Sequence, residues 1–160
     1  MCIYTAMIYY VSYLKDRLGN NYLGIDVPFE VVEPYLTKLE EIIGKESYET
    51  FTKNQQQRDH GNYHITVINV MDYNRLSKEL GVDNFVNSLE LVFDFEIDDL
   101  EMLGVGQAVK ETNTAYFIVC QSDKLDAIRT RFNLPKQDFH VTIGFNPKDV
   151  FGVPKNKVID

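Results

Sequence analysis

Apolar and polar positions along the chain follow two periods, one typical of strands and one typical of helices. Runs that are rich in β-branched and aromatic residues predict strands. These runs are NYLGIDVP (21–28), YHITVINV (63–70), ELVFDFEID (90–98), LGVGQAVKE (103–111), TAYFIVC (114–120) and DFHVTIGF (138–145). We therefore expect a domain that contains several short strands.

Four helices are also predicted, one before the first strand from apolar residues at helical spacing and three between later strands. The helices are expected over 7–18, with Gly19 as the C-cap, and over 33–43, 73–80 and 122–132. The remaining long segment, ETFTKNQQQRDHGN (49–62), is polar and is predicted to be a loop. Strands that alternate with helices indicate a mixed α and β fold.

One pentapeptide pattern occurs twice, as YHITV at 63–67 and as FHVTI at 139–143. The chain has three histidines, and two of them, His64 and His140, occupy this pattern. Each copy ends a unit of strand, helix and strand, which suggests an internal duplication. A single His-x-Thr on a strand is usually structural, but two copies at matched places indicate a function.

Residues two apart in a strand point to the same face of the sheet. His64 and Thr66 therefore share one face. The second copy is expected to place His140, Thr142 and Gly144 on one side and Phe139, Val141, Ile143 and Phe145 on the other. If the two strands lie side by side, two imidazoles and two hydroxyls come together.

This set of groups suits the chemistry of a phosphodiester. A neutral imidazole can accept a proton from the attacking oxygen, while an imidazolium donates one to the leaving oxygen. Histidine fits both roles because its reference pKa of about 6.5 allows both protonation states near neutral pH. The hydroxyls of Thr66 and Thr142 can donate hydrogen bonds to the phosphate oxygens.

The paired motif resembles that of the 2H phosphoesterase superfamily of RNA ligase-like and cyclic phosphodiesterase proteins. The resemblance extends from YLGIDVP to HVTIGF, and HVTIGFNPKDVFGV is most similar to the Swiss Army Knife branch, which is associated with RNA repair. The resemblance implies a bilobed α+β fold, in which two antiparallel sheets related by a pseudo-twofold form a concave cleft with helices outside. It also implies that His64 and His140 are the acid and base, and that Thr66 and Thr142 bind phosphate.

The resemblance implies metal-independent cleavage of a nucleotide or short RNA phosphodiester, either a 2′,3′-cyclic phosphate or a bond beside a 2′-oxygen. Two alternatives stay open. The chain is also similar to phage 2H enzymes that hydrolyse cyclic di- or oligonucleotide immune signals, and a binding module without activity could keep the same fold. Some relatives carry a basic residue just after the motif. Ile68, Asn69 and Gly144 stand there in this chain, so the positive charge must come from elsewhere.

Several further residues are candidates for contacts with substrate. Arg58 and His60 precede the first motif, Tyr48 and Phe151 could stack on a base, and Lys148 follows the second motif. The alternative for each is a surface or packing role. Lys155 and Lys157 also follow the second motif, where a solvated tail is the simpler interpretation.

Composition narrows the class of protein. The length of 160 residues predicts one domain over 1–160, and the net charge of −8 argues against binding of a long nucleic acid duplex. No metal-ligand motif or cofactor-binding motif appears, so neither a metal nor a cofactor is expected. The apolar first residues lack the features of a signal peptide, and Cys2 and Cys120 are interpreted as reduced thiols. These observations favour a cytoplasmic protein without a membrane role, of undetermined oligomeric state.

Overall fold

The computed structural model describes residues 7–160. Within that range it contains six strands and five helices, which confirms the α+β class. In chain order the elements are β1 (Ser12–Lys15), β2 (Asn21–Asp26), α1 (Phe29–Ile43), α2 (Lys45–Asp59), β3 (His64–Ile68), α3 (Val70–Leu80), α4 (Val82–Phe93), β4 (Glu101–Lys110), β5 (Asn113–Gln121), α5 (Asp123–Arg131) and β6 (His140–Asn146).

The six strands form a single sheet in the order β1-β2-β3-β6-β5-β4. The pairings of β1 with β2, β3 with β6, β6 with β5 and β5 with β4 are antiparallel. The expectation of two separate sheets is therefore not met within residues 7–160. The predicted duplication stays a prediction, although the strand order places the two motif strands, β3 and β6, side by side at the centre.

The chain divides into two compact units. The first contains the described residues up to Ile25 together with Thr66–Leu100 and Ser122–Lys136. Its interior holds apolar residues of α3, α4 and α5, among which the ring of Phe85 packs edge-on against Tyr73 and Phe132. The N-cap of α5 is Ser122, whose side chain accepts a hydrogen bond from the amide of Leu125.

The second unit contains Asp26–Ile65, Glu101–Gln121 and Gln137–Asp160. Residues of β4, β5 and β6 form one apolar cluster with Val150, which follows β6. The strand residues of this cluster are Ala108, Ala115, Phe117, Val119 and Phe145. Helix α2 packs closely on β6 at Gly144. A Cβ atom at this position would lie 3.0 Å from the Cβ atom of Phe51, so glycine permits the close approach.

The prediction of a helix over 7–18 is wrong for the part that the structure describes. Residues Ser12–Lys15 form β1, which pairs with β2 in a hairpin. The Asp16 carboxylate accepts hydrogen bonds from the amides of Leu18 and Asn20, and Gly19 has a φ of 82°. Gly19 therefore closes a turn between strands rather than a helix, because glycine tolerates positive φ at either place.

Two further segments differ from their predicted structure. Residues 49–62 were predicted as a loop, but Lys45–Asp59 form α2, whose buried residues are Thr52 and Gln55. Residues 90–98 were predicted as a strand, but Val82–Phe93 form α4, in which Phe85, Leu89 and Val92 are buried at helical spacing. Both errors have a local cause. Helix α2 is polar and has almost no apolar stripe, and the segment 90–98 contains only the last residues of α4.

None of the helices within residues 7–160 is both long and apolar enough to cross a membrane. Cys120 is a buried free thiol, and burial raises its pKa to about 12. Cys2 lies outside the described residues.

Candidate active site

The two motif histidines lie on neighbouring antiparallel strands. His64 begins β3 and His140 begins β6, and Ile65 of β3 is paired with Val141 of β6. The antiparallel register places Thr142 opposite His64. Because paired residues point to the same face and neighbours along a strand alternate, both histidines project from the face opposite to that of Ile65 and Val141.

An irregularity in β6 changes which residues share the histidine face. Phe117 of β5 pairs with Thr142, while Tyr116 pairs with Gly144, so Ile143 is an extra residue in β6. Such a bulge reverses the alternation beyond it. Phe145 pairs with Ala115 and therefore lies on the same face as Thr142, whereas Gly144 lies on the other. The sequence predicted the reverse for these two residues, because strict alternation cannot reveal a bulge.

His140 is held by contacts on both ring nitrogens. Its Nδ1 lies 2.7 Å from the carbonyl oxygen of Asp138, so Nδ1 carries a hydrogen and donates it. In the neutral ring Nε2 is then the acceptor, and it lies 3.4 Å from the ammonium of Lys155. The ring also packs edge-on against Phe117, with 5.6 Å between ring centroids.

The pKa of His140 is lowered to about 4. The largest cause is burial, which disfavours the charged ring, and the second is the positive charge of Lys155. The Asp138 carbonyl and the Asp149 carboxylate act in the opposite direction, while His64 lowers the pKa further when protonated. His140 is therefore neutral near pH 7 and presents an acceptor nitrogen.

His64 is half-buried and lies in a different electrostatic environment. Burial is again the largest cause that lowers its pKa. The charge of Asp59 opposes that effect, Arg58 adds to it, and Asp26 and Asp149 oppose it more weakly. The net effect lowers the pKa of His64, although three carboxylates oppose the lowering, whereas at His140 the opposing carboxylate is that of Asp149.

Ion pairs connect the end of α2 to the segment that follows β6. Arg58 donates hydrogen bonds to Asp59 at 2.9 and 2.8 Å and forms an ion pair with Asp149. The other carboxylate oxygen of Asp149 lies 3.7 Å from the ammonium of Lys155. Burial would lower the pKa of Arg58, but Asp59 and Asp149 more than offset this and raise it.

Arg58 also contacts the aromatic residue that the bulge turns toward this face. Its guanidinium carbon lies 4.8 Å from the ring centroid of Phe145, a cation–π distance. This stacking and the two carboxylates hold the guanidinium in a fixed orientation. Among the additional sequence candidates, Arg58 is thus connected to the residues around His64 and His140.

The threonines occupy the positions that the motif predicts. Thr142 lies between His140 and the bulge and is 8% exposed, and Thr66 is half-buried two residues after His64 on the same face of β3. A hydroxyl can donate one hydrogen bond and accept two, so both side chains can bind an oxyanion.

The other candidates lie further from the histidines or are open to solvent. His60 is exposed at the end of α2 with a φ of 56°, and Lys148 is exposed after the cis bond between Asn146 and Pro147. Tyr48 lies in the first turn of α2, and its electrostatic neighbours are Glu40 and Tyr63. Phe151 is 69% exposed, yet its ring centroid lies 5.5 Å from the ammonium of Lys155.

Sequence reasoning missed three residues of this site. Lys155 was interpreted as part of a solvated tail, but its side chain is only 6% exposed. Asp138 and Asp149 were not singled out, although each contacts Lys155. No local pattern marks them, because they meet only after the C-terminal segment folds back along β4 and β6. Two cations, Arg58 and Lys155, thus lie beside the motif histidines.

Groups of three or more residues able to hold a metal ion are not found within the described part of the chain. His140 instead contacts a backbone oxygen, a cation and one aromatic ring. Acid-base chemistry and binding of an oxyanion are what this arrangement can perform directly.

Comparison with known proteins gives one clear result. The model of the family described as Swiss Army Knife, 2H phosphoesterase domain, matches residues 21–151. That range includes both histidine motifs and ends at Phe151. No curated protein and no solved structure matches the chain.

Proposed function

Because the chain belongs to the Swiss Army Knife family of 2H phosphoesterase domains, we propose that it hydrolyses a nucleotide or short RNA phosphodiester with His64 and His140 as the acid-base pair. The observation that carries the proposal is the position of the two histidines on neighbouring strands and on one face. Two cations, Arg58 and Lys155, lie beside them. A phosphodiester requires this combination of proton acceptor, proton donor and positive charge.

His140 is assigned as the general base. Its Nδ1 donates to the Asp138 carbonyl, which fixes the tautomer with the free electron pair on Nε2. Its pKa of about 4 keeps the ring neutral at physiological pH. A neutral and oriented imidazole can accept a proton from water as the water oxygen attacks phosphorus.

His64 is assigned as the general acid. In the free protein burial and Arg58 lower its pKa, whereas the charges of Asp59, Asp26 and Asp149 act in the opposite direction. A bound phosphodiester adds a negative charge beside the ring, and a nearby negative charge raises a histidine pKa. Substrate binding thus favours the imidazolium that must protonate the leaving oxygen.

The proposed step conserves atoms and charge. Water attacks phosphorus and gives a proton to Nε2 of His140, the bond between phosphorus and the leaving ribose oxygen breaks, and His64 protonates that oxygen. From a 2′,3′-cyclic nucleotide the product is a nucleoside 2′- or 3′-monophosphate. Proton exchange with solvent then restores both rings.

Thr66, Thr142 and Arg58 are proposed to bind the non-bridging oxygens. Donors aimed at an oxygen whose charge grows in the transition state stabilise that state more than the ground state. A small substrate fits the charge of the protein, because a chain of net charge −8 repels a long polyanion. We therefore place 2′,3′-cyclic nucleotides and short RNA ends ahead of duplex substrates.

The experiment that tests the proposal is a substrate panel with product identification by mass. The protein is incubated in EDTA with 2′,3′-cyclic nucleotides, short RNAs and cyclic oligonucleotides, beside the variants His64→Ala and His140→Ala. We expect turnover of a 2′,3′-cyclic nucleotide or short RNA by the wild type and loss of it in both variants. Turnover of the cyclic oligonucleotides alone would move the substrate to immune signals, and tight binding without turnover would contradict the enzymatic role.

A further inference from the structure

Lys155 is a buried lysine in the C-terminal segment. Its side chain is 6% exposed, although lysine is almost never buried without a specific partner. The segment is fixed on the edge of β4, where Val158 bridges Gly106 and the amide of Ile159 donates to the Val105 carbonyl at 2.8 Å. The position of the ammonium is thus built into the fold.

The ammonium lies between one histidine and one shared carboxylate. It is 3.4 Å from Nε2 of His140 and 3.7 Å from Asp149, whose other oxygen is paired with Arg58. The rings of Phe117 and Phe151 lie on its sides, at 5.7 and 5.5 Å from their centroids. An ammonium has three donors, and Nε2 of His140 and the Asp149 carboxylate are two acceptors in reach of it.

The backbone of Lys155 is joined to the same histidine by a second path. Its amide donates to the Asp138 carboxylate at 3.0 Å, and the carbonyl of Asp138 accepts from Nδ1 of His140 at 2.7 Å. One aspartate therefore fixes both the lysine and the ring. Nε2 and the ammonium are held facing one another, as a proton acceptor and a cation would be arranged around one phosphate oxygen.

We propose that Lys155 is the phosphate-binding cation of this site and that it also positions His140. In the free protein its ammonium donates to Nε2 of His140. On binding, it transfers that hydrogen bond to a non-bridging oxygen of the phosphodiester, which leaves Nε2 free to accept the proton of water. The inference rests on the proposed function, and it assigns to Lys155 the positive charge that the residues after each motif do not provide.

The electrostatics around His140 agree with this geometry. The groups that face the ring are Lys155, the Asp138 carbonyl, Asp149 and His64. Lys155 is the strongest of these influences on the His140 pKa and is second only to burial. The pKa of Lys155 is itself lowered, first by burial and then by Arg58 against the opposing charge of Asp149. A phosphate anion between the two groups would raise both pKa values.

The first test is an NMR titration of the histidine rings, which needs no catalysis. The protein has three histidines, so the signals of each ring can be assigned by substitution. Wild type is compared with Lys155→Met, Lys155→Arg and the control Lys53→Met, which removes an exposed charge from the middle of α2. We expect Lys155→Met to raise the His140 pKa, and we expect Lys155→Arg and Lys53→Met to leave it low.

The second test adds inorganic phosphate during the same titration. In the wild type phosphate should raise the His140 pKa, and Lys155→Met should weaken phosphate binding. If Lys155→Met does not fold, Lys155→Gln replaces it, because it keeps a donor and removes the charge. A His140 pKa and a phosphate affinity that do not change in the variant would overturn the inference.

Kinetics then separate this inference from the proposed function. With the substrate found in the panel, Lys155→Met should lower kcat/KM by about 10²–10³-fold, the usual effect of losing one donor to the transition state. Lys155→Arg should restore part of the rate, and Lys53→Met should match the wild type. An inactive His140→Ala together with a fully active Lys155→Met would reject the role of Lys155 alone. A fully active His140→Ala would reject the proposed function itself.

Discussion

The strands β3 and β6 carry the same His-x-Thr pattern but surround their histidines with different groups. Nδ1 of His140 donates a hydrogen bond to a backbone carbonyl, and Nε2 lies beside a buried ammonium. His64 lies beside the Arg58 and Asp59 pair at the end of α2, where carboxylates oppose the effect of burial on its pKa. The pattern therefore places the two rings, and segments distant in sequence make them chemically different.

This difference explains how two equal side chains can take opposite roles. A pair of groups whose environments separate their proton affinities can act as base and acid at one pH. In this protein the separation comes from the C-terminal segment, which brings Lys155 to His140, and from α2, which brings Asp59 toward His64.

The largest effect is expected from the histidines themselves. His64→Ala and His140→Ala should each lower kcat by about 10²–10⁴-fold, because each removes one proton transfer. The double variant should be little slower than the slower single variant, since an acid without its base contributes little. Single-turnover rates measure this, and the thermal unfolding midpoint shows whether each variant is folded. Losses that multiply in the double variant would contradict the paired roles.

The threonines should give a smaller and unequal effect. Thr142 is 8% exposed and Thr66 is half-buried, so a hydrogen bond from Thr142 acts in the drier environment. Thr142→Val should cost up to about 2.7–4 kcal/mol of transition-state stabilisation, and Thr66→Val should cost less. The ratio of kcat/KM values for variant and wild type gives both numbers. Equal wild-type rates would show that both threonines serve only as strand formers.

The folding stability of the protein should depend on the proton affinity of His140. Its pKa falls from 6.5 in the unfolded chain to about 4 in the folded one. Between these pH values the unfolded state therefore binds more protons than the folded state. The contribution of His140 to stability is complete above about pH 6.5 and is lost as pH falls toward 4. The loss should reach roughly 3 kcal/mol.

Denaturant unfolding at several pH values measures this contribution. His140→Gln should remove most of the dependence that His140 causes between pH 6.5 and 4, whereas His60→Gln, at an exposed position, should leave it in place. The same dependence in wild type and in His140→Gln would mean that another group is responsible.

The smallest effect is expected at Phe151, whose ring lies beside the ammonium of Lys155. Its ring is 69% exposed and could stack on a base. Phe151→Ala should weaken substrate binding by about 1–3 kcal/mol, the usual contribution of one stacked base. We expect this loss mainly in KM, with kcat retained, because the ring takes no part in proton transfer. Phe151→Tyr is the matched control, and an unchanged KM in Phe151→Ala would exclude stacking.

The sequence was sufficient to predict the strands that hold the motifs. Both are short runs of β-branched and aromatic residues, and both occur where the pattern places them, at His64–Ile68 and His140–Asn146. Alternation also predicted the face shared by His64 and Thr66. It failed at Phe145, because the extra residue Ile143 in β6 depends on the pairing with β5.

The charged surroundings of the histidines could not be predicted from local patterns. Lys155 follows His140 by 15 positions in a segment without helical or strand periodicity. Asp149 and Arg58 are 91 residues apart and meet only in the folded chain. Helix α2, which carries Arg58 and packs on β6 at Gly144, was itself predicted as a loop. Its residues are mostly polar and do not form the apolar stripe that predicts a helix. Contacts of this kind are set by tertiary structure rather than by propensity.

The measurement that tests the central claim most directly is the pH dependence of kcat/KM for a 2′,3′-cyclic nucleotide in the presence of EDTA. With one ring that must be neutral and one that must be protonated, the profile should be bell-shaped and unaffected by the chelator. His140→Ala should remove the acid limb and His64→Ala the alkaline limb from the activity that remains. Activity that disappears in EDTA and returns with a divalent ion, or wild-type rates in both variants, would contradict the account.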